Sequence, residues 1–396
     1  MDRRKIVGRI GLQRKVYHIC YLLVGPFVRR IYHFEAKPCR LKSRTFLALG
    51  NHTQNLDPAL MVIGLRSHMR FVATDSLTRG VAGFFLNNLF GLIPREKGAK
   101  GDAVIRLIEE NLKEGISVGM FPEGNRSWDG ETEFISRRTA RLAKESGVSL
   151  VTYRFTGGYL LRPRWAATRR KGPMRGELVN EYTPEQLAAK TEEEVYAAIC
   201  RDLYVNAYEE QARHGDKYVG KKLAEGLQYA AYLCPSCHRF GTVRTEGNSI
   251  SCECGMNTVY NSEGRFEGGN IPFSNLMEWN RFQKQWTHDN ASVLAKSTSE
   301  PIFGDGGFNL SVVEGKTVVE TSPDAEVSMY GDRIEIMFGG TRIVRKISEI
   351  TGFGTALSAS MYFNCGTTRY RLVATRRVST LKYYAVWRAL SGREYR

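Results

Sequence analysis

Gly50-Asn51-His52-Thr53-Gln54-Asn55-Leu56-Asp57-Pro58 stands between two apolar runs of different character. Residues 45–49 read as a buried strand and residues 58–65 as a helix. A strand that hands over to a helix through a polar turn is the repeating unit of an α/β domain. The turn also limits what this segment can do. In a continuous helix five residues rotate by about 500°, which leaves His52 and Asp57 about 140° apart. If His52 instead lies in the turn and Asp57 begins the helix, the carboxylate folds back onto the imidazole. Asp-Pro suits that start, with Asp57 at the N-cap and Pro58 at the first helical position. The plainer alternative, a capping aspartate beside a surface histidine, fits this segment equally well.

Outward from the turn the alternation continues. Residues 70–73 form a short strand pattern. Asp102 is placed to cap a helix whose apolar face is Val104, Leu107, Ile108 and Leu112, with Gly115 just past its end. A strand over 116–121, a helix over 135–146 stopped at Gly147, and a strand over 148–155 follow. Residues 45–213 are therefore expected to form an α/β domain, a mixed sheet flanked by helices. Residues 191–213 predict one helix, opened by a Thr191/Glu194 capping box with Val195, Ile199 and Leu203 on one face. A helical connector over 214–233 leads into a cysteine cluster at 234–260, followed by a Gly-rich linker at 264–269. Within 261–299, Leu276, Trp279, Phe282 and Trp286 share the face of another helix. From 300 to 396 the pattern changes to short β runs at 308–313, 317–321, 326–330, 333–338, 342–346, 361–364 and 370–374. A closing helix over 381–390 carries Trp387. At the level of fold this β-rich domain resembles a pleckstrin-homology-like barrel, which would make it a docking module for lipid or protein.

Two further segments join the first in suggesting chemistry. Phe121-Pro122-Glu123-Gly124-Asn125-Arg126-Ser127 follows a strand, and a Glu, a flexible Gly and an Arg there suit a polar, phosphorylated ligand. Gly91-Leu92-Ile93-Pro94-Arg95-Glu96-Lys97 ends an apolar run over 81–93, which either lines a path for an apolar chain or dips into lipid, or is ordinary core. Arginine suits phosphate because its planar fork donates two parallel bonds. In this order and spacing the three segments resemble the glycerolipid acyltransferase family, typified by 1-acyl-glycerol-3-phosphate acyltransferases, over roughly residues 30–210. That family carries an Asn-His-x4-Asp block, an Arg-containing block after a Gly-rich apolar turn, and a Phe-Pro-Glu-Gly-Thr-Arg block. This chain departs at Asn125, where the family has Thr, and at 151–155, where the Pro of a fourth block is absent.

The resemblance implies a catalytic pair, His52 and Asp57. His52 would accept the proton of an acceptor hydroxyl attacking an acyl thioester, and Asp57 would hold the imidazole tautomer. Arg95, Glu123, Gly124, Asn125 and Arg126 would bind the acceptor. The implied reaction moves a fatty acyl group from acyl-CoA or acyl carrier protein to 1-acyl-glycerol 3-phosphate, giving phosphatidate for phospholipid synthesis. Another lysolipid acceptor is the nearest alternative.

Cys234-Pro-Ser-Cys237 and Cys252-Glu-Cys254 have the paired spacing of a structural zinc ribbon, whose four thiolates leave no open position for water. The other cysteines are scattered, which suits a reducing compartment. A formal charge of +16 calls for an anionic partner. Residues 1–44 are crowded with Arg and Lys against only Asp2 and Glu35, and a second cluster holds Arg162, Arg164, Arg169, Arg170, Lys171 and Arg175. Solvated basic faces are the plain alternative. The apolar stretch at 19–28, interrupted by Gly25-Pro26, is too short to span a bilayer and lacks a small-residue cleavage site, so no secretory signal is expected. It suits a helix lying in the membrane interface. The expected location is the cytoplasmic face of the cell membrane, peripheral or interfacial, on an anionic surface. The rival from another class is a non-catalytic lipid- or nucleic-acid-binding adaptor. Against nucleic acid, residues 234–256 set Arg239 and Arg244 against Glu246 and Glu253 and are locally neutral.

Overall fold

The computed structural model describes residues 8–74, 80–95, 101–315, 317–356 and 359–393. The chain divides into two compact units, Met1–Pro163 with Lys171–Val219, and Arg164–Arg170 with Gly220–Arg396.

The first unit opens with helices α1 (Ile10–Leu23) and α2 (Gly25–Tyr32), with Pro26 in the first turn of α2, where its missing N–H costs nothing. Next come β1 (Phe34–Ala36), β2 (Phe46–Gly50), α3 (Asp57–Leu65), β3 (Arg70–Thr74), α4 (Gly80–Phe90) and β4 (Ile93–Arg95). Then follow α5 (Asp102–Lys113), β5 (Val118–Met120), α6 (Arg138–Glu145), β6 (Ser149–Thr156), α7 (Gly158–Leu161) and β7 (Met174–Tyr182). Helices α8 (Pro184–Ala188), α9 (Glu192–Leu203) and α10 (Ala207–His214) complete the unit. Its strands form one seven-stranded mixed sheet in the order β1-β7-β6-β2-β5-β3-β4. Only β6 and β7 pair antiparallel; the other neighbours run parallel.

Strand β2 lies mid-sheet and is buried along its whole length. Leu47 and Leu49 pack with Ile108, Leu142 and Ile199 on one face, while Phe46 and Ala48 pack with Leu60, Met61 and Val151 on the other. This two-sided burial is why the segment reads as a continuous apolar run. Leu49 pairs with Met120, so β2 and β5 release their chains side by side at the same edge. The carboxyl ends of parallel strands are where open α/β sheets place their sites.

Several expectations needed correction. Residues 191–213 form two helices. Asn206 accepts from the backbone N–H groups of Tyr208 and Glu209 and starts α10, and Val205 N donates to Thr132 Oγ1 at 2.9 Å, holding the break open. The capping box of Thr191 and Glu194 forms as expected. Asp102 is the first residue of α5 and caps nothing. The connector expected over 214–233 holds no α-helix beyond His214: Lys222 (φ 59°) and Gly226 (φ 97°) take left-handed conformations, and only a single 3-10 turn, Leu227–Tyr229, survives.

In the second unit, β8 (Val243–Glu246), β9 (Ser249–Cys252), β10 (Asn257–Tyr260) and β11 (Phe266–Glu267) make a four-stranded antiparallel sheet in the order β11-β10-β9-β8. The stretch expected as a linker thus supplies a strand. Helices α11 (Leu276–Asp289) and α12 (Ala291–Leu294) follow. Then β12 (Phe303–Glu314), β13 (Thr317–Met329), β14 (Arg333–Phe338), β15 (Thr341–Lys346), β16 (Ile350–Ala356), β17 (Ser360–Cys365) and β18 (Thr368–Ala374) form a seven-stranded antiparallel sheet. Its order is β15-β14-β13-β12-β18-β17-β16. Helix α13 (Thr380–Leu390) adds Tyr383, Val386 and Trp387 to the core of that sheet. The two runs expected at 317–321 and 326–330 are one strand. Strand β16 went unexpected because two glycines interrupt its pattern. A Cβ on Gly354 would lie 2.4 Å from the Tyr362 hydroxyl, so the neighbouring strand's ring occupies the space a side chain would need.

Candidate active site

The turn leaving β2 folds around one carboxylate. Asp57 is fully buried. Its Oδ2 accepts from Thr53 N at 2.5 Å, from Gln54 N at 2.7 Å and from His52 Nδ1 at 2.9 Å, and its Oδ1 accepts from Thr53 Oγ1 at 3.2 Å. Helix α3 starts at Asp57 with Leu56 at the N-cap and no side-chain cap. The expected capping role is therefore not formed: the carboxylate turns back toward four donors that precede it. An ionised carboxylate is acceptor-only, so His52 Nδ1 must donate and Nε2 carries the lone pair. The His52 side chain is about one-fifth exposed (21%), and among the described residues nothing binds Nε2. The ring stacks on Phe121, with centroids 4.5 Å apart and planes inclined by 21°.

Two residues brace the turn. Asn51 is buried and makes a rung with β6, donating to Phe155 O at 2.9 Å and accepting from Phe155 N at 2.7 Å. Sequence reasoning missed this role; the only signal was an Asn at the end of a buried strand. Glu123 comes from the loop after β5. Its Oε1 accepts from His52 N at 2.6 Å and its Oε2 from Glu133 N at 2.7 Å. Ser127 N donates to His52 O at 3.4 Å, so the 121–127 loop clasps the turn from both sides. Both Glu123 oxygens are engaged by backbone, which makes this carboxyl a support for the His52 loop. The residue is partly exposed overall, yet burial of its carboxyl raises its pKa well above the usual range, against the lowering effect of the two N–H bonds.

The remaining expected residues gather at the same edge. Gly124 has φ 72°, a conformation that favours glycine, and its N–H donates to Phe121 O at 3.0 Å. A Cβ on Gly124 would stand 3.3 Å from Arg95 Nη1, so the exposed Arg95 at the end of β4 lays its guanidinium against that turn. Asn125 and Arg126 are half-buried in the same loop. Burial lowers the pKa of Arg126, the charge of Asp57 raises it, and Arg162 lowers it.

Residues 30–156, which contain every one of these groups except Arg162, match the family model described as Acyltransferase. A curated 1-acyl-sn-glycerol-3-phosphate acyltransferase from Borreliella burgdorferi is 26% identical over 113 residues, covering 28% of this chain and 45% of the relative. The aligned stretch thus spans less than half of that relative. Among solved structures, the 1-acyl-sn-glycerophosphate (LPA) acyltransferase of Thermotoga maritima gives a TM-score of 0.41 at 19% identity, covering 48% of this chain and 80% of that one. The Vps36 N-terminal PH domain gives a TM-score of 0.20 at 14% identity, covering 24% of this chain and 80% of its own. The family model and the curated relative support the acyltransferase family for the segment that carries His52 and Asp57.

A second constellation lies around β8 and β9. The Sγ atoms of Cys234, Cys237, Cys252 and Cys254 all fall within 4.8 Å of one another. Cys234 and Cys254 are 3.6 Å apart, and Cys237 and Cys252 3.8 Å. Tetrahedral zinc with Zn–S bonds of about 2.3 Å requires S···S separations of about 3.8 Å, so the donor set fits.

The two basic clusters fare differently. In 162–175, Arg164 and Arg170 are buried. Arg170 lies between the rings of Trp165 and Tyr260, at 5.3 and 4.9 Å, and donates to Leu223 O at 2.7 Å. Arg175 pairs with Asp216 and Glu35. This cluster is therefore not the open basic face expected; of its basic residues only Arg162 and Lys171 are exposed. In contrast, α1 and α2 expose Leu22, Leu23 and Phe27, each by more than 60%, and α4 exposes Phe84 and Phe85. The 81–93 run thus splits: part of α4 faces outward, and Ile93 joins the core. Among the described residues no helix is long and apolar enough to cross a membrane.

Proposed function

We propose that the first unit transfers a fatty acyl group from a thioester donor, acyl-CoA or acyl carrier protein, to the free hydroxyl of 1-acyl-glycerol 3-phosphate. The observation that carries this reading is the 2.9 Å contact between His52 Nδ1 and Asp57 Oδ2, with Nε2 left open. The acceptor hydroxyl gives its proton to Nε2 as its oxygen attacks the thioester carbonyl. A C–O bond forms, the C–S bond breaks, and the leaving thiolate takes the proton from the imidazolium. Asp57 stabilises that imidazolium without becoming protonated. General-base assistance of this kind is worth about 10²–10⁴-fold. Glu123 and Asn51 hold the turn, Gly124 and Asn125 shape the neighbouring loop, and Arg95 and Arg126 receive the acceptor's phosphate. Asn125, in place of the threonine of the related block, marks where a different lysolipid would be accommodated.

Cys234, Cys237, Cys252 and Cys254 would hold a structural zinc ion, which supplies folding energy to the ribbon and no reaction chemistry. Basic residues of the amino-terminal segment and the apolar residues of α1, α2 and α4 would seat the protein peripherally on the cytoplasmic face of an anionic membrane. The strand order and closing helix of the carboxy-terminal sheet suit a pleckstrin-homology-like docking module.

The test is incubation of the purified protein with labelled acyl-CoA or acyl carrier protein and a panel of acceptors. Phosphatidate from 1-acyl-glycerol 3-phosphate is expected to form fastest. Equal transfer to phosphate-free acceptors would overturn the acceptor class, and transfer to none would overturn the reaction.

A further inference from the structure

Gln54 lies two residues beyond His52 and is 2% exposed. Its backbone N–H binds Asp57, and its side-chain Nε2 donates to the carbonyls of Gly158 and Arg162, the latter at 3.3 Å. Helix α7 is pressed against the same turn. Gly157 bends the chain at φ 78°, and a Cβ on Gly158 would stand 2.2 Å from Thr53 Oγ1. Arg162 N closes that helix on Gly158 O at 3.3 Å. The backbone of Arg162 is therefore fixed by the His52–Asp57 turn itself. Its side chain is exposed, and its guanidinium has no hydrogen-bond or ion-pair partner among the described residues.

Arg95 thus lies against Gly124, Arg126 lies within the field of Asp57, and Arg162 lies within range to depress Arg126. Like charges held together disfavour one another unless they share an anion. We propose that Arg162 is a substrate-binding residue that takes a phosphate group, either the acceptor's phosphomonoester or the phosphates of a CoA donor. The inference rests on the acyl-transfer reading above and adds a third cation, outside the three sequence blocks, to its anion site. An exposed guanidinium fork on a fixed backbone suits bidentate phosphate recognition.

The experiment compares wild type, Arg162→Gln and Arg162→Lys. Equilibrium binding of CoA and of 1-acyl-glycerol 3-phosphate is measured first, without turnover. The expected result is a loss of about tenfold or more in Kd for one of the two with Arg162→Gln, and partial recovery with Arg162→Lys. Unchanged Kd values for both, or no binding of either by wild type, would overturn the inference. Kinetics then separate the sources. A rise in KM confined to the acceptor assigns the phosphomonoester, and one confined to acyl-CoA but absent with an acyl N-acetylcysteamine thioester assigns the donor phosphates. In either case kcat and the unfolding temperature are expected to hold. A fall in kcat at constant KM would overturn the binding role. Absence of turnover in wild type would sink the acyl-transfer reading, while the binding comparison would still decide the role of Arg162.

Discussion

The His52 turn and the four-cysteine cluster are assembled in opposite ways. The turn collects its donors within six residues and surrounds Asp57, yet leaves Nε2 of His52 without a partner among the described residues. The cluster draws its thiols from two segments, one before β8 and one at the end of β9, and closes all four on one point. Openness separates a group that can take a proton from one that can only hold a fold. Each half of this contrast can be broken by substitution.

The largest expected effect lies in the closed cluster. Cys234→Ser with Cys252→Ser removes two of the four thiols proposed to hold zinc, whose binding would be worth on the order of 10 kcal/mol. Elemental analysis is expected to find one zinc per wild-type chain and none in the double variant, with loss of cooperative unfolding for the ribbon. Equal metal content in the two proteins would refute a zinc site. Next comes Asp57→Asn. The amide accepts with only one oxygen where the carboxylate satisfies four donors, so about 1–3 kcal/mol of stability is expected to go as well. Turnover is expected to fall by about 10²–10⁴-fold, because the amide cannot stabilise the imidazolium. Near-normal kcat would reduce Asp57 to a scaffold.

Smaller effects are expected further from the turn. Arg95→Ala removes a charge-assisted bond worth about 1.5–3 kcal/mol, so KM for the phosphorylated acceptor is expected to rise about 10- to 100-fold. An effect on the donor alone would move the phosphate site elsewhere. Arg30→Gln, at an exposed position on α2, is expected to weaken binding to anionic vesicles by about 1 kcal/mol, less as salt rises. Sedimentation showing equal binding to neutral and anionic vesicles would contradict the electrostatic half of the membrane proposal.

The turn was legible because its partners are neighbours in sequence and Asp-Pro marks a helix start. What stayed hidden came from elsewhere in the chain. Nothing beside Glu123 in sequence shows that His52 N and Glu133 N occupy its oxygens. The 162–175 run has the composition of a surface, but Arg170 is sandwiched by Tyr260, ninety residues away, and by Trp165. The break at 204–206 was signalled by Asn206, and the apolar periodicity on either side masked it. At 214–233 helical composition yielded to the left-handed backbone of Lys222 and Gly226.

His52 is the residue on which the proposed proton transfer depends most directly. It is a partly exposed turn residue with a single side-chain hydrogen bond, so His52→Ala should leave the unfolding temperature close to that of wild type. With labelled acyl-CoA and 1-acyl-glycerol 3-phosphate, the rate of phosphatidate formation by purified His52→Ala decides the matter. Loss of turnover by at least about a hundredfold, in a folded protein that still binds both substrates, is the predicted result. Turnover within a few-fold of wild type would contradict the account.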